Sequence, residues 1–326
     1  TSSNDYNKSG NNFVYMAIRR PQAVPTAATQ VFSVNATAGG DNKYNLGFVP
    51  DFNLHTRTAG TTRYALTRLL GQRNIQTDNT NAISGNNTSL KYWDAPTNTI
   101  DLNTAWWGAQ SDIISWSWKR APGYFDVVAT KAINGNVNHN LGVVPELVIY
   151  KRYDGTDEWY VCTPADGYLV LDKTNRSGGY GNGSYLTNAF GAQAAATTVN
   201  SGYWATGNAT YDMIIYLFAT LAGISKVGTY VGSSSGVVTV DCGFTSGARF
   251  VLIKRNDAVG DWYVYDSVRG INSSADDPYL LLNTTDAETT NTNNIEPHSS
   301  GFQLTQQGAN PISANGSTYI FYAIAT

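Results

Sequence analysis

Leu147-Val-Ile-Tyr-Lys-Arg152, followed after Asp154-Gly-Thr-Asp-Glu158 by Trp159-Tyr-Val161, is the stretch that decides the fold of this chain. The pattern returns 103 residues later as Phe250-Val-Leu-Ile-Lys-Arg255 and Trp262-Tyr-Val264. Short β-branched and aromatic runs bounded by Pro or Gly read as buried strands. The Asp-, Asn- and Gly-rich spacers between them have hairpin length and turn chemistry. Upstream, Tyr44-Asn-Leu-Gly-Phe-Val-Pro-Asp51 matches His139-Asn-Leu-Gly-Val-Val-Pro-Glu146 at an offset of 95. In this first copy Thr56-Arg57 replaces the Lys-Arg pair, and Tyr64 is read as standing where the other copies have Trp.

A second element occurs four times: Asn11–Arg20, Ser111–Arg120, Tyr211–Thr220 and Ser317–Thr326. It reads as a closing strand, and the alternation in Phe13-Val-Tyr-Met-Ala-Ile-Arg19 predicts one buried face. Three full modules follow, over residues 22–121, 122–223 and 224–326. Residues 1–21 read as the closing strand of a preceding module, so the native chain is expected to continue upstream. No segment shows helical periodicity over ten residues. Roughly 100 residues of short strands per module suit an all-β chain of tandem antiparallel β-sandwiches, jelly-roll-like in form. The links Arg120-Ala-Pro-Gly123 and Leu221-Ala-Gly-Ile-Ser225 are short, which predicts abutting modules in a row, as a rod or a column.

Charged residues are 14% of the chain, with Lys+Arg 21 against Asp+Glu 24. That balance excludes a strongly basic nucleic-acid binder. The 42% hydrophobic content is ample for a core. Three His and two Cys, none at ligand spacing, exclude a zinc cluster, and no metal or cofactor is expected. Cys162 and Cys242 occupy non-equivalent places and read as buried free thiols. The longest apolar run, Met213–Ala219, is far short of the ~20 residues of a membrane-spanning helix, so no membrane insertion is expected.

Candidate chemistry is sparse. Trp116 and Trp118 alternate on a strand and are expected in the core. Trp159 and Trp262 repeat between modules, which favours packing. The Lys151-Arg152 and Lys254-Arg255 pairs are expected to lie over apolar surface with their charged heads in water. Trp106 and Trp107, beside Gly108, are candidate surface contacts for a glycan. Tyr180 in the Gly-rich loop Gly178–Gly183 and Tyr185 just beyond it join them. Asp276-Asp277 and Asp286-Ala-Glu288 are the nearest thing to a carboxylate pair for glycoside hydrolysis, which needs the two groups ~5–9 Å apart. Asp154-Gly-Thr-Asp157-Glu158 reads as a turn rather than a calcium loop. No Gly-x-Ser-x-Gly elbow or Walker loop is present, and no catalytic residue is assigned.

The order of motifs resembles a repeat module of tailed-bacteriophage virion proteins of the tail-fibre or appendage type. It runs from Asn140-Leu-Gly-Val-Val-Pro-Glu-Leu-Val-Ile-Tyr-Lys-Arg152 through Gly223-Ile-Ser-Lys-Val-Gly-Thr-Tyr230 and Phe250–Arg255. It continues in Gly260–Gly270, Tyr279-Leu-Leu-Leu-Asn283, Ser300-Gly-Phe302 and Asn315–Ile320. The resemblance is good over residues 122–326 and weaker over 1–121. It implies a structural role in the virion, without saying where on the particle, and it carries over no catalytic residue; the reading taken here is a non-enzymatic protein of a tail or appendage rather than the capsid. Expected partners are copies of itself, by analogy as a trimer, other virion proteins, and a host-surface glycan or protein. Two alternatives stand beside it: a capsid-decoration or neck/baseplate protein, and a bacterial adhesin or carbohydrate-binding module.

Overall fold

The computed structural model describes residues 22–36, 42–84, 90–93, 99–102, 110–132, 136–163, 168–175, 194–200, 211–273, 276–305 and 310–326. Among them the chain is all-β, broken only by single 3-10 turns at Ala28–Gln30 and Arg68–Leu70.

Three five-stranded antiparallel sheets share one strand order. In each, an opening strand pairs with the closing strand, which pairs with a central strand, then a fourth and a fifth. In the first module these are Phe32–Ala36, Ile113–Trp118, Phe52–Arg57, Tyr64–Thr67 and Asn74–Gln76. In the second they are Phe125–Ala132, Tyr211–Phe218, Leu147–Arg152, Trp159–Cys162 and Tyr168–Val170. In the third they are Ser225–Val231, Thr318–Ala325, Ala248–Arg255, Trp262–Asp266 and Leu280–Leu281. The closing strand, last in sequence, lies between the first and the central one, a Greek-key crossover.

A small sheet covers one face of each large sheet. Lys43–Asn45, Thr99–Leu102 and Leu90–Tyr92 form it in the first module, Asn136–Asn138 with Thr198–Asn200 in the second, and Val238–Asp241, Gly301–Leu304 and Ile295–His298 in the third. Side chains alternate across a strand, so each sandwich interior takes every second residue. Val137 and Val199 meet Val148, Tyr150, Ile215 and Leu217 in the second module. Tyr44, Ile100 and Leu102 meet Leu66 and Ile113 in the first.

The segment 1–21, with the alternation at Phe13–Arg19, lies outside the described residues. The three closing strands that are described are buried on both faces: all six residues of Ile113–Trp118 are buried. The reason lies on the far side of the large sheets. Their second faces pack against one another in a single core drawn from all three modules. Phe52, Leu147 and Phe250 occupy the same register, opposite Trp118, Phe218 and Ile324. Together with Leu54, Ile149 and Leu252 two residues on, they line one apolar cavity of about 30 Å³ at the centre. Aromatic contacts tie every pair of modules: Phe52 to Tyr216 at 4.5 Å, Phe218 to Tyr322 at 4.9 Å, and Trp118 to Phe250 at 5.4 Å between ring centroids. The modules therefore do not stand in a row. Each touches both of the others, and the first and third, far apart in sequence, meet as the chain closes on itself about a pseudo-threefold axis.

Candidate functional site

Beside the apolar axis, a girdle of polar contacts joins the modules, and the strand register shows how it is built. Trp159 pairs with Lys151, and Trp262 with Lys254, on their hairpins. The Trp159 indole N–H donates to the carbonyl oxygen of Gln76, in the first module, at 2.7 Å. That of Trp262 donates to Val170, in the second, at 2.8 Å. Gln76 and Val170 are equivalent, each opposite a fourth-strand Tyr.

Each lysine ammonium adds two more bonds. Lys151 Nζ donates to Thr80 O of the first module at 3.0 Å and to Asp157 O of its own turn. Lys254 Nζ donates to Thr174 O of the second module at 3.0 Å and to Gly260 O of its own turn. Both lysines are 0% exposed, so they do not reach water as the sequence reading expects. Their charge is compensated by carbonyl dipoles and by the neighbouring indoles, 5.9 and 5.8 Å from ammonium to ring. Burial pulls both down to about 8.

The first module solves the same problem with other residues. Tyr64 pairs with His55, as Tyr160 pairs with Tyr150 and Tyr263 with Ile253. Tyr64 is thus the counterpart of those tyrosines, and the position of Trp159 and Trp262 belongs to Arg63. This corrects the placement of Tyr64 made from sequence. Arg63 is 1% exposed. Its Nε donates to Leu281 O of the third module at 2.8 Å, the register equivalent of Gln76 and Val170. Its Nη1 donates to Thr61 O, in its own turn, and to Thr56 Oγ1 at 2.9 Å; its Nη2 donates to Asp286 O across the seam. One guanidinium carries the bonds that an indole and an ammonium share elsewhere, and Thr56 stands where the lysines do. Burial pulls Arg63 down to about 10 against the opposing pull of Asp78 and Asp286.

Side-chain oxygens complete the girdle. Asp78, Asp172 and Asn283 accept from the backbone N–H of Arg63 (3.3 Å), Trp159 (2.8 Å) and Trp262 (2.9 Å). Burial pushes both aspartates above their ordinary range. On the opposite face of the first sheet lies a buried polar cluster. Asn53 Nδ2 donates to Ser115 Oγ at 2.7 Å and Ser117 Oγ at 2.9 Å, and Asn53 Oδ1 lies 2.8 Å from His55 Nδ1. Burial pulls His55 down to about 3 and keeps it neutral. It is sealed from solvent and belongs to the sandwich interior.

Each central strand finishes in an arginine held by nearby carboxylates: that of Arg57 precedes the closing strand, and those of Arg152 and Arg255 lie in their own hairpin turns. Arg57 Nε bonds both oxygens of Asp112 at 3.0 and 3.1 Å. Arg152 bonds Asp154 at 2.7 Å and Asp157 at 3.0 Å, with its guanidinium 4.1 Å from the Tyr211 ring centroid. Arg255 Nε bonds Asp257 at 2.7 Å. These three heads are partly exposed, 34, 26 and 28%. An open cleft of about 580 Å³ lies between Val24, Gln30, Phe48, Lys119 and Arg120.

Trp106, Trp107, Tyr180 and Tyr185 lie outside the described residues. Trp116 and Trp118 are buried at 1% exposure, as expected. Cys162 and Cys242 are buried free thiols, pushed up to about 12. Asp277 accepts from the backbone N–H of Asn272 (3.4 Å) and Ile295 (3.2 Å), while Glu288 pairs with Arg269 at 2.7 Å. These carboxylates hold loops.

A family described as a domain of unknown function, DUF7483, matches residues 28–326. The chain belongs to the DUF7483 family. The DUF7483 match spans all three modules as one unit, the same unit that the axial core joins. No match is found among curated proteins.

Proposed function

We propose that this DUF7483 chain is a non-enzymatic structural protein of a bacteriophage virion, part of a tail fibre or appendage, that contributes to attachment at the host surface. The observation that carries this reading is the closure of three sandwiches about one apolar axis. Such a body has its fifth-strand edges bonded to the next module by Trp, Lys or Arg, so those backbone groups are unavailable for stray pairing. Its most deeply buried cations, Lys151, Lys254 and Arg63, are spent on inter-module ties. These features suit a compact, protease-resistant particle component. The repeat resemblance supplies the particle.

The test is cryo-electron microscopy of the intact particle together with mass spectrometry of its proteins. The reading expects the chain in purified particles, in density on the tail. Density on the capsid lattice favours decoration, and absence from the particle overturns the proposal. In that case, binding of the isolated chain to purified glycans separates an adhesin or carbohydrate-binding module.

A further inference from the structure

We propose that the cavity on the pseudo-threefold axis is a binding site for one small nonpolar guest, of the size of a xenon atom, held where the three modules meet. The inference stands on the geometry of the core and is independent of the virion reading.

Every second residue of a central strand faces the axis. Phe52, Leu147 and Phe250 form one layer, and Leu54, Ile149 and Leu252 form the next. The layer after that is Thr56, Lys151 and Lys254, and its lysines are spent on carbonyls at the seams. The middle layer has only aliphatic side chains to close the axis, and they leave the cavity of about 30 Å³ between them. A second equivalent set completes the wall. Thr77, Leu171 and Leu282 each follow the residue whose carbonyl takes the inter-module bond, Gln76, Val170 or Leu281. The space is therefore a product of the ring: each module supplies the same two wall positions, and no single module encloses it.

The chemistry of the wall selects the guest. No polar atom lines the cavity. Thr77, the one aliphatic hydroxyl among the wall residues, donates its Oγ1 to Leu282 O at 2.9 Å, and the Trp159 indole N–H donates to Gln76 O. A buried water needs two to four polar partners, so a space of this kind stays dry although a water would fit. An empty space also forfeits the dispersion contacts of the atoms around it, and a nonpolar guest restores them without any hydrogen bond. Dry apolar cavities take up xenon and small hydrocarbons for this reason. Every wall residue is buried, so the guest enters through transient local opening. Because the wall belongs to all three modules, the guest binds only the closed ring and stabilises it by mass action.

The test is a crystal of the 326-residue chain pressurised with xenon and read by anomalous diffraction. The expected result is one xenon atom on the axis, in contact with Leu54, Ile149 and Leu252. Ile149→Phe places a ring in the space and should abolish the peak. Leu252→Ala enlarges the space and fills nothing, so it keeps the proposal testable if the phenylalanine variant does not fold. It should retain the xenon peak, and its thermal midpoint should rise with benzene concentration. A wild-type axis without xenon, an ordered water in the cavity bonded to the Tyr216 hydroxyl, a peak that persists in folded Ile149→Phe, or a Leu252→Ala midpoint indifferent to benzene overturns the proposal. Each of these outcomes leaves the virion reading untouched.

Discussion

Arg63 donates from Nε to the carbonyl oxygen of Leu281 at 2.8 Å, across 218 residues of sequence. This bond joins the first module to the third, and it is the counterpart of the indole bonds that join the second to the first and the third to the second. The Arg63 guanidinium reaches four acceptors across and beside the seam because its donors are fixed in a fork, which a lysine cannot reproduce.

If Arg63 replaces an indole and an ammonium together, the pair should be transplantable. Arg63→Trp alone leaves the Thr61 and Asp286 carbonyls without the guanidinium, and Thr56→Lys alone places a buried charge beside Arg63. Each should destabilise by about 2–4 kcal/mol, in the range for broken buried polar contacts. The double variant should recover at least about 1 kcal/mol beyond additivity, as contacting residues do. Urea denaturation of the four proteins gives the coupling. A coupling near zero would show that the two arrangements are not equivalent.

Trp159→Phe and Trp262→Phe keep most of the apolar volume and remove one donor each, leaving the Gln76 or Val170 carbonyl without the indole. The expected loss is about 1–3 kcal/mol for each, the cost of an unsatisfied buried polar group. The two losses should add, since they fall at different seams. A change below about 0.5 kcal/mol in both would mean that water replaces the indoles freely.

Gly60 sits at the seam with φ +89°, and a Cβ there would stand 2.8 Å from Ala287 N and 3.0 Å from Thr285 O. Gly47 has φ +72° and nothing within 4 Å of the same atom. Gly47→Ala should therefore cost only backbone strain, about 1 kcal/mol. Gly60→Ala should cost that strain plus displacement of the seam backbone. Thermal unfolding should show a clearly larger drop for Gly60→Ala. Equal drops would indicate that the first and third modules are not in contact.

Lys151 and Lys254 are held near 8 in the folded protein, below the ordinary lysine value of 10.5. From pH 8 upward the unfolded chain therefore binds more protons than the folded one, and stability rises with pH, by up to about 1.4 kcal/mol per unit for each lysine. Above pH 9 the gain is opposed by Cys162 and Cys242, whose folded thiols are pushed up to about 12, and near pH 10 by the buried tyrosines. The rise should thus be sharpest between pH 8 and 9, and Lys151→Met with Lys254→Met should flatten it. Denaturation midpoints across that interval decide the matter; a fall in the wild-type protein would place the ammonium groups in water.

Much of the fold was legible because strand chemistry repeats. Leu147-Val-Ile-Tyr150 and Phe250-Val-Leu-Ile253 mark the same strand twice, and the closing strands mark the ends. The ring was not read, although a signal for it exists. Strands of a two-layer sandwich with one face in solvent should alternate apolar and polar, yet Met213-Ile-Ile-Tyr-Leu-Phe218 is apolar throughout. Continuous apolar runs mean that both faces are covered, and the second cover is the other two modules. Arg63 escaped for a different reason. Its equivalence to Trp159 depends on hairpin register, and the accompanying change of Lys to Thr lies on the facing strand at Thr56. No residue type is shared, so only the pairing reveals it. The burial of Lys151 and Lys254 follows the same rule, since their acceptors are carbonyls of another module, which leave no mark in the sequence.

The most direct test of the central claim is the mass of the purified 326-residue chain in solution, measured by light scattering during size-exclusion chromatography over a wide concentration range. Closure of all three module contacts within one chain predicts a single species of 35.3 kDa that does not change with concentration. A stable species of three times that mass would contradict it, because the faces that build a homotrimer would then have to be open between chains.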